Sequence, residues 1–547
     1  LSDSIKEGDS KLALKKPAGS PSVGRTFSIV AVLTVVSKVV GLLRDMIVAN
    51  AYGTTFLADA YNYAYLFTGN ILILFGGLGG PFHSVTVTTL MPRKDKPEAG
   101  LLLTQIVLAT AFYLSIPTLL VLIGAPLLIE LVAPNYGGTS PLHGQFFEEA
   151  IRQLRLMSPL IVLSGLIGIS YGVLNVSNKV FWPSLSPAVA SVAIIIALIL
   201  FPGHESSVPL AVGTLIGAFG QLFAQIPGII GSHYRFAFSL KAQEGLKNFS
   251  QMLFPALLAT SVGQLIIYVD GFFCSGMVGG WTAINNANRL IQLPLGVLST
   301  AMLVPMLPKF TEHAAANRTD DLKDDFRKSV RILCFLAMPL AVILLVIPEP
   351  IVALLFQRGA FNEKSTVLVT SALVFLVPSM LIYLVRDLTA RVFLGMQDSK
   401  TPSYVALLAL AVKACLDWLF IVKIPLGVAG ISLATSLITL LNFGLLTLLL
   451  RKKIGRLGAT KLILPLGIML GSGIISGIAI EGIDRLIAPH LIGRGVVFQL
   501  IRIGCDTAGG GAVYLAICSL MHLDEPKMII QRFLKLNSKR FPDGPSG

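Results

Sequence analysis

Residues Phe27 to Tyr52 read FSIVAVLTVVSKVVGLLRDMIVANAY, long enough to cross a bilayer as a helix yet interrupted by Lys38, Arg44 and Asp45. A helix needs about 20 apolar residues to span the hydrocarbon. A charge inside it costs ~3 kcal/mol or more unless it faces a cavity or a partner. Ser37, Gly41 and Arg44 follow the i, i+4, i+7 spacing and share one helical face, with Lys38 at its edge. The stretch therefore reads as a membrane helix with one polar face. The structural alternative is an arginine that only reaches along the lipid toward the headgroups. The rest of the chain weighs against it.

With 54% apolar and 13% charged residues, the composition departs from that of soluble domains, and long apolar runs recur almost throughout. The expectation is an all-α polytopic membrane protein of about 14 transmembrane helices. The spans fall near 27–52, 61–90, 101–133, 153–177, 184–201, 208–231, 250–276, 285–308, 330–355, 366–395, 402–422, 427–450, 460–481 and 497–520. The net charge of +14 does not mark a nucleic-acid binder, because Lys and Arg lie mostly in short loops and tails. Loops on the side of the N-terminal tail hold Arg93, Lys94 and Lys96, then Lys179, then Arg235, Lys241 and Lys247. The series continues with Lys309 through Arg331, Lys400, and Arg451, Lys452, Lys453 and Arg456. The opposite loops are nearly free of cations, and this bias places both termini on the cytoplasmic or stromal side. Leu1 to Gly24 is polar and basic and reads as a disordered tail. Scattered cysteines without CxxC, and histidines without HxxH, argue against a disulfide framework, a metal site or metal catalysis.

The chain also repeats itself. Pro126 in IGAPLLIELVAP and Pro350 in IPEPIVALLFQR stand 224 residues apart, as do Ser37 and Ser261. Asn62 and Asn285, each before a helix ending in Met-Pro or Leu-Pro, are separated by 223 residues, and Pro183 and Pro402 by 219. A nearly constant offset implies two six-helix units of the same orientation, with the last two spans outside the repeat. The divisions expected are a tail at 1–26, an N-lobe at 27–231, a C-lobe at 250–450, a terminal helix pair at 460–520 and a tail at 521–547. Two parallel lobes with a cavity between them are transporter architecture, and no catalytic constellation suggests an enzyme.

Polar residues within the spans then mark the cavity. The second span opens at Asp59 and contains Gly76-Gly77-Leu78-Gly79-Gly80-Pro81, which bends or breaks a helix. Close packing by small residues is its structural alternative. The seventh carries Asp270, and the eighth opens with Asn285, Asn286, Asn288 and Arg289, followed by Gln292 and Pro294. Arg44 and Arg289, from opposite lobes, are placed to meet at one anionic group, and paired guanidinium hydrogen bonds suit a diphosphate. Lys413 and Asp417 are i, i+4 in the eleventh span and, with Asp270, form a charge cluster or a salt bridge that fixes register. Asp387 with Arg391, and Arg502 with Asp506, have the same spacing and read as structural pairs.

Ser37-Lys38-Val39-Val40-Gly41-Leu42-Leu43-Arg44-Asp45, Asp59-Ala60, and Asn288-Arg289-Leu290 before Pro294-Leu295-Gly296 resemble the MurJ (MviN) family of lipid II flippases. Phe356-Gln357-Arg358-Gly359-Ala360-Phe361 and Asp398-Ser399-Lys400-Thr401-Pro402 are similar to it too, and the resemblance runs from about Phe27 to His522. It implies a MOP-superfamily exporter with a basic cavity for a lipid-linked disaccharide-pentapeptide diphosphate, and a polyprenyl groove beside the last two helices. By position it implies substrate-binding roles for Ser37, Lys38, Arg44, Asp59, Asn288, Arg289 and Gln292. Ile73, Leu74 and Leu78 stand where many members have an Arg pair and an acid, and the GGLGGPFH form resembles the cyanobacterial and plastid branch. Some relatives hold sodium between acids at positions resembling Asp270 and Asp417. Here Lys413 stands in place of a neutral ligand, so its ammonium is expected to pair both acids in the cation's stead.

The function expected is a flippase for peptidoglycan precursor, working by alternating access as a monomer among membrane lipids. Its membrane is the bacterial plasma membrane or the chloroplast envelope. No cofactor is expected; ion coupling or the membrane potential supplies the drive, at about 2.3 kcal/mol per charge per 100 mV. The rivals are a MATE-like or other cation-coupled exporter, and a membrane scaffold that transports nothing. The loop MPRKDKPEAG lacks the GxxxDRxGR pattern of the major facilitators.

Overall fold

The computed structural model describes residues 23–527 apart from 78, 94–95, 97, 139, 203–204, 233, 235–236, 238, 240–243, 263, 459 and 488–494, and apart from the side chains at 23–31, 259, 262, 300, 301 and 304. The tail before residue 23, the chain after 527, and Leu78, Lys94, Arg235 and Lys241 thus lie outside the described residues. Among the described residues there are twenty α-helices and no strand.

The first half opens with α1 (Val23–Tyr52) and α2 (Phe56–Gly76), followed by α3 (Pro81–Leu90). The expected break in the second span is real. Gly77 and Gly80 are extended, Gly79 is left-handed at φ +84°, and Pro81 starts α3. Close packing is present as well, since a Cβ on Gly76 would sit 2.7 Å from the Ser164 carbonyl oxygen. Next come α4 (Ala99–Val132), α5 (Leu142–Met157), α6 (Leu160–Val176), α7 (Phe181–Leu200), α8 (Val208–Phe223) and the short α9 (Ile226–Ile230). Helix α7 packs on α1 and α8, while α2 packs on α5 and α6.

The second half holds α10 (Glu244–Val262), α11 (Leu265–Cys274), α12 (Gly280–Leu298), α13 (Val304–Ala315), α14 (Thr319–Val346), α15 (Pro348–Phe356) and α16 (Glu363–Gly395). After these come α17 (Lys400–Trp418), α18 (Val428–Ile454), α19 (Thr460–Ile487) and α20 (Val496–Leu520). Helix α16 is central here, against α12, α14 and α18, and α19 joins α14 and α20.

Helix α4 shows why the fold needs lipid. Leu120, Ile123 and Leu127 are 65 to 70% exposed, while Ala125 and Ile129 on its other side are fully buried. Interior prolines 117 and 126 are tolerated, as is usual for helices in a bilayer. Among the described residues, eleven helical stretches are long and apolar enough to cross a membrane, against the fourteen expected. The three others are helical but different in kind. The first is α1, with nine side chains outside the described residues. The seventh splits into α10 and α11, and the eighth runs from the Asn-rich α12 through a π-helical turn, Ser299–Leu303, into α13.

Candidate functional site

Lys38, Arg44 and Asp45 of α1, Tyr65, Asn70 and Ile73 of α2, Asp270 of α11 and Asn285, Asn288, Arg289 and Gln292 of α12 line one cavity of about 340 Å³. Five of the seven residues expected to bind substrate are therefore together. The arginines meet as the sequence suggested, but through Asp45, a charge the sequence marked in the first span without giving it a role. Asp45 Oδ1 accepts from Arg44 Nε at 3.0 Å and Nη2 at 2.7 Å, and forms an ion pair with Arg289 Nη1 at 2.8 Å. The Asp45 side chain is 8% exposed, against 27% for Arg44 and 30% for Arg289. Two guanidiniums carry more N–H donors than one carboxylate oxygen accepts, so donor capacity faces the cavity. With Lys38, three cations line the cavity against the carboxylates of Asp45 and Asp270.

Ser37 faces a second chamber of about 330 Å³, lined also by Tyr171, Thr214 and Gln221 and joined to the first through Arg44, Tyr65 and Ile73. A third space, an apolar groove of about 660 Å³, begins at Lys38, Leu42 and Leu293 of the first cavity. It runs past Leu340 and Ile343 of α14 and Ile351 of α15 to Thr507 of α20.

Asp59 lines none of the three. It is fully buried at the end of the bundle where α1 stops and α12 starts. Its Oδ2 accepts from Tyr136 Oη at 2.7 Å and Gly279 N at 2.6 Å, and its Oδ1 from Thr282 N at 2.8 Å and Thr282 Oγ1 at 2.7 Å. A carboxylate at a helix N-terminus satisfies backbone N–H groups and opposes the helix dipole. Asp59 thus ties the two halves of the chain at that end. Gly279 makes the approach feasible: its φ is +78°, and a Cβ there would lie 2.2 Å from the Thr54 carbonyl oxygen. Nothing in the sequence pointed to Tyr136, which sits in a turn. The tie continues through Thr54 Oγ1 and Ser365 Oγ, 2.8 Å apart, and through Ala360 N donating to the Asn50 carbonyl at 2.9 Å.

Asp270 touches the cavity at one edge, but its carboxylate is held from behind. Lys413 Nζ donates to Asp270 Oδ1 at 2.5 Å and to Asp417 Oδ1 and Oδ2 at 2.6 and 2.7 Å. Lys413 and Asp417 are fully buried, and Asp270 is 14% exposed. Of the pairs read as structural, Arg391 Nε reaches Asp387 at 3.2 Å as expected. Arg502 does not choose Asp506. It bonds Asp484 of α19 at 2.5 and 2.8 Å, because the antiparallel neighbour offers both carboxylate oxygens to the guanidinium fork.

Residues 48–498 match the family model described as "Lipid II flippase MurJ". A protein of Synechocystis sp. named "Probable lipid II flippase MurJ" is 33% identical over 482 residues, covering 85% of this chain and 88% of the relative. A namesake from Thermotoga maritima is 26% identical over 509 residues, covering 91% and 97%. In fold, the chain matches a solved "Lipid II flippase MurJ, inward closed conformation" at a TM-score of 0.74 and 23% identity, over 90% of this chain and 99% of that one. It matches an inward-facing MATE family transporter of the MOP superfamily at a TM-score of 0.62 and 15% identity, over 79% and 99%. The chain belongs to the MurJ family of lipid II flippases.

Proposed function

We propose that this protein carries lipid II, a polyprenyl diphosphate bearing the peptidoglycan building block, across its membrane by alternating access. One observation carries the reading. Two arginines from opposite halves of the chain share a single carboxylate at the wall of a common cavity. Asp45 holds the guanidiniums where a diphosphate would take them, and a ligand with two phosphates offers more acceptors than one carboxylate oxygen. In this reading α1–α9 and α10–α18 are the two lobes, and the Asp59 tie closes the end away from the tails. The apolar groove from Lys38 to Thr507 takes the polyprenyl chain. Loops rich in Lys and Arg put the tails in the cytoplasm or stroma. The protein works as a monomer in a bacterial plasma membrane or a chloroplast envelope, and lipid II enters from the tail side. The MATE likeness is consistent with a shared fold, but it leaves a fifth of this chain unmatched.

Complementation of a strain depleted of its lipid II flippase tests the proposal. Rescue by this chain, with newly made lipid II cleaved by an enzyme added outside the cell, is the expected result. A chain that inserts normally but leaves the lipid II headgroup inaccessible overturns it.

A further inference from the structure

Helices α17 and α18 leave an apolar groove of about 600 Å³ at the tail side of the bundle, which shares no lining residue with the cavity that holds Arg44. Tyr404 and Leu408 of α17 and Leu445 and Leu448 of α18 form its walls, and Arg451 and Lys452 stand at its mouth. Tyr404, Leu408 and Leu448 are 69, 50 and 57% exposed, and both cations are exposed. The third cation of that helix end is different: Lys453 Nζ bonds Asp398 Oδ2 at 2.7 Å. Among the described residues no carboxylate pairs with Arg451 or Lys452. Cations at a helix C-terminus favour the helix dipole and set membrane topology. Those two roles explain the charges but not the hollow between the helices beneath them.

We propose that this groove binds one anionic phospholipid of the tail-side leaflet, with an acyl chain between α17 and α18 and its phosphate on Arg451 and Lys452. The occupant follows from charge complementarity. An acyl chain is already in hydrocarbon before it enters, so the apolar walls select for shape and not between headgroups. Discrimination falls to the two cations, the guanidinium binding phosphate through paired hydrogen bonds. Each interfacial cation favours an anionic headgroup, and two together give a preference on the order of thirtyfold over a zwitterionic lipid. Tyr404 suits the headgroup level, where amphipathic rings gather. The bound lipid wedges apart the tail-side ends of α17 and α18, and α17 is the helix that carries Lys413 and Asp417.

Native mass spectrometry of the full chain, released from nanodiscs of phosphatidylcholine with phosphatidylglycerol as the minor component, reads this directly. One phosphatidylglycerol should be retained in preference to phosphatidylcholine. The exposed double variant Arg451→Gln/Lys452→Gln should lose that preference about thirtyfold, and Leu408→Trp, which fills the groove, should lose the retained lipid itself. Arg485→Gln, an exposed cation of α19 elsewhere on the bundle, should change nothing. Equal retention of the two lipids, or a preference that survives the double variant, overturns the proposal. So does a species of twice the chain's mass that holds no lipid, for a second copy would then cover the groove. None of these readouts depends on which substrate is transported.

Discussion

Two charge clusters bordering the same cavity use the same chemistry to opposite ends. In one, Arg44 and Arg289 hold Asp45 at a cavity wall, with both guanidiniums more than a quarter exposed. In the other, Lys413 sits between Asp270 and Asp417 with no exposure at all. The first has cations in excess and donors to spare, and the second has acids in excess with its ammonium fully engaged. A charge held in the open can exchange partners; a buried and fully bonded one fixes the helices that carry it. On the proposed function, the open cluster is the one that handles the ligand, and the locked cluster holds the protein around it.

The largest effect that can break this contrast lies at the open cluster. Arg44→Ala and Arg289→Ala should each abolish flipping, measured as headgroup accessibility to an external enzyme, while thermal unfolding in detergent shifts little. Ordinary accessibility in either variant would remove the arginines from the transport step. Asp45→Asn sharpens the comparison: the guanidiniums lose their placeholder but keep their charge, so substrate binding should survive and resetting after release should slow.

The locked cluster should behave the other way round. Lys413→Met leaves two buried carboxylates facing one another, and breaking such a pair costs about 3–5 kcal/mol. A large fall in Tm before any measurement of transport is the expected outcome. Because an ammonium already fills the space between the acids, transport by the unaltered chain should be indifferent to sodium. A sodium effect that vanished in Asp417→Ala would show that the site takes a free ion after all.

Asp59 lies between these cases, and it also shows how far sequence could reach. It was readable as an acid at the start of a membrane helix, which suggested a ligand contact. Its four donors come from Tyr136 and the Gly279–Thr282 turn, partners that no spacing rule brings together. The helices themselves were legible because apolar length and loop charge are local properties. Lys413 and Asp417 were legible because i, i+4 is a helix geometry. Arg502 misled for the same reason: its helical neighbour was visible in the sequence, while Asp484 on the adjoining helix was not. Asp59→Asn turns an acceptor into a donor facing donors, and losing a charged hydrogen bond costs about 2 kcal/mol, on the order of thirtyfold in an opening equilibrium. Asn285→Cys, placed in a chain freed of its native cysteines, should then react that much faster with an impermeant thiol reagent added on the side away from the tails. Unchanged labelling would mean that this end is held shut by other contacts.

The smallest effect belongs to a third ion pair, on the tail-side surface, where both partners meet solvent. Lys453 beside Asp398, with the Thr401 amide, holds that carboxyl at about 2, below its usual range near 3.8. A depressed carboxyl contributes stability above its unfolded value, and the contribution is lost as pH falls through the folded one. For an exposed pair it stays within about 1 kcal/mol. Asp398 also accepts from Thr401 N at 3.0 Å at the start of α17. Asn caps a helix about as well as Asp, so Asp398→Asn removes the charge and spares the cap. The unaltered chain should melt slightly higher than the variant at pH 7, with the gap narrowing below about pH 4 and closing near pH 2. Added salt should shrink the same gap, since exposed charges are screened. Salt should leave the Lys413→Met deficit standing, because no ions reach a fully buried ammonium; equal salt sensitivity at both sites would dissolve the distinction between open and locked charge.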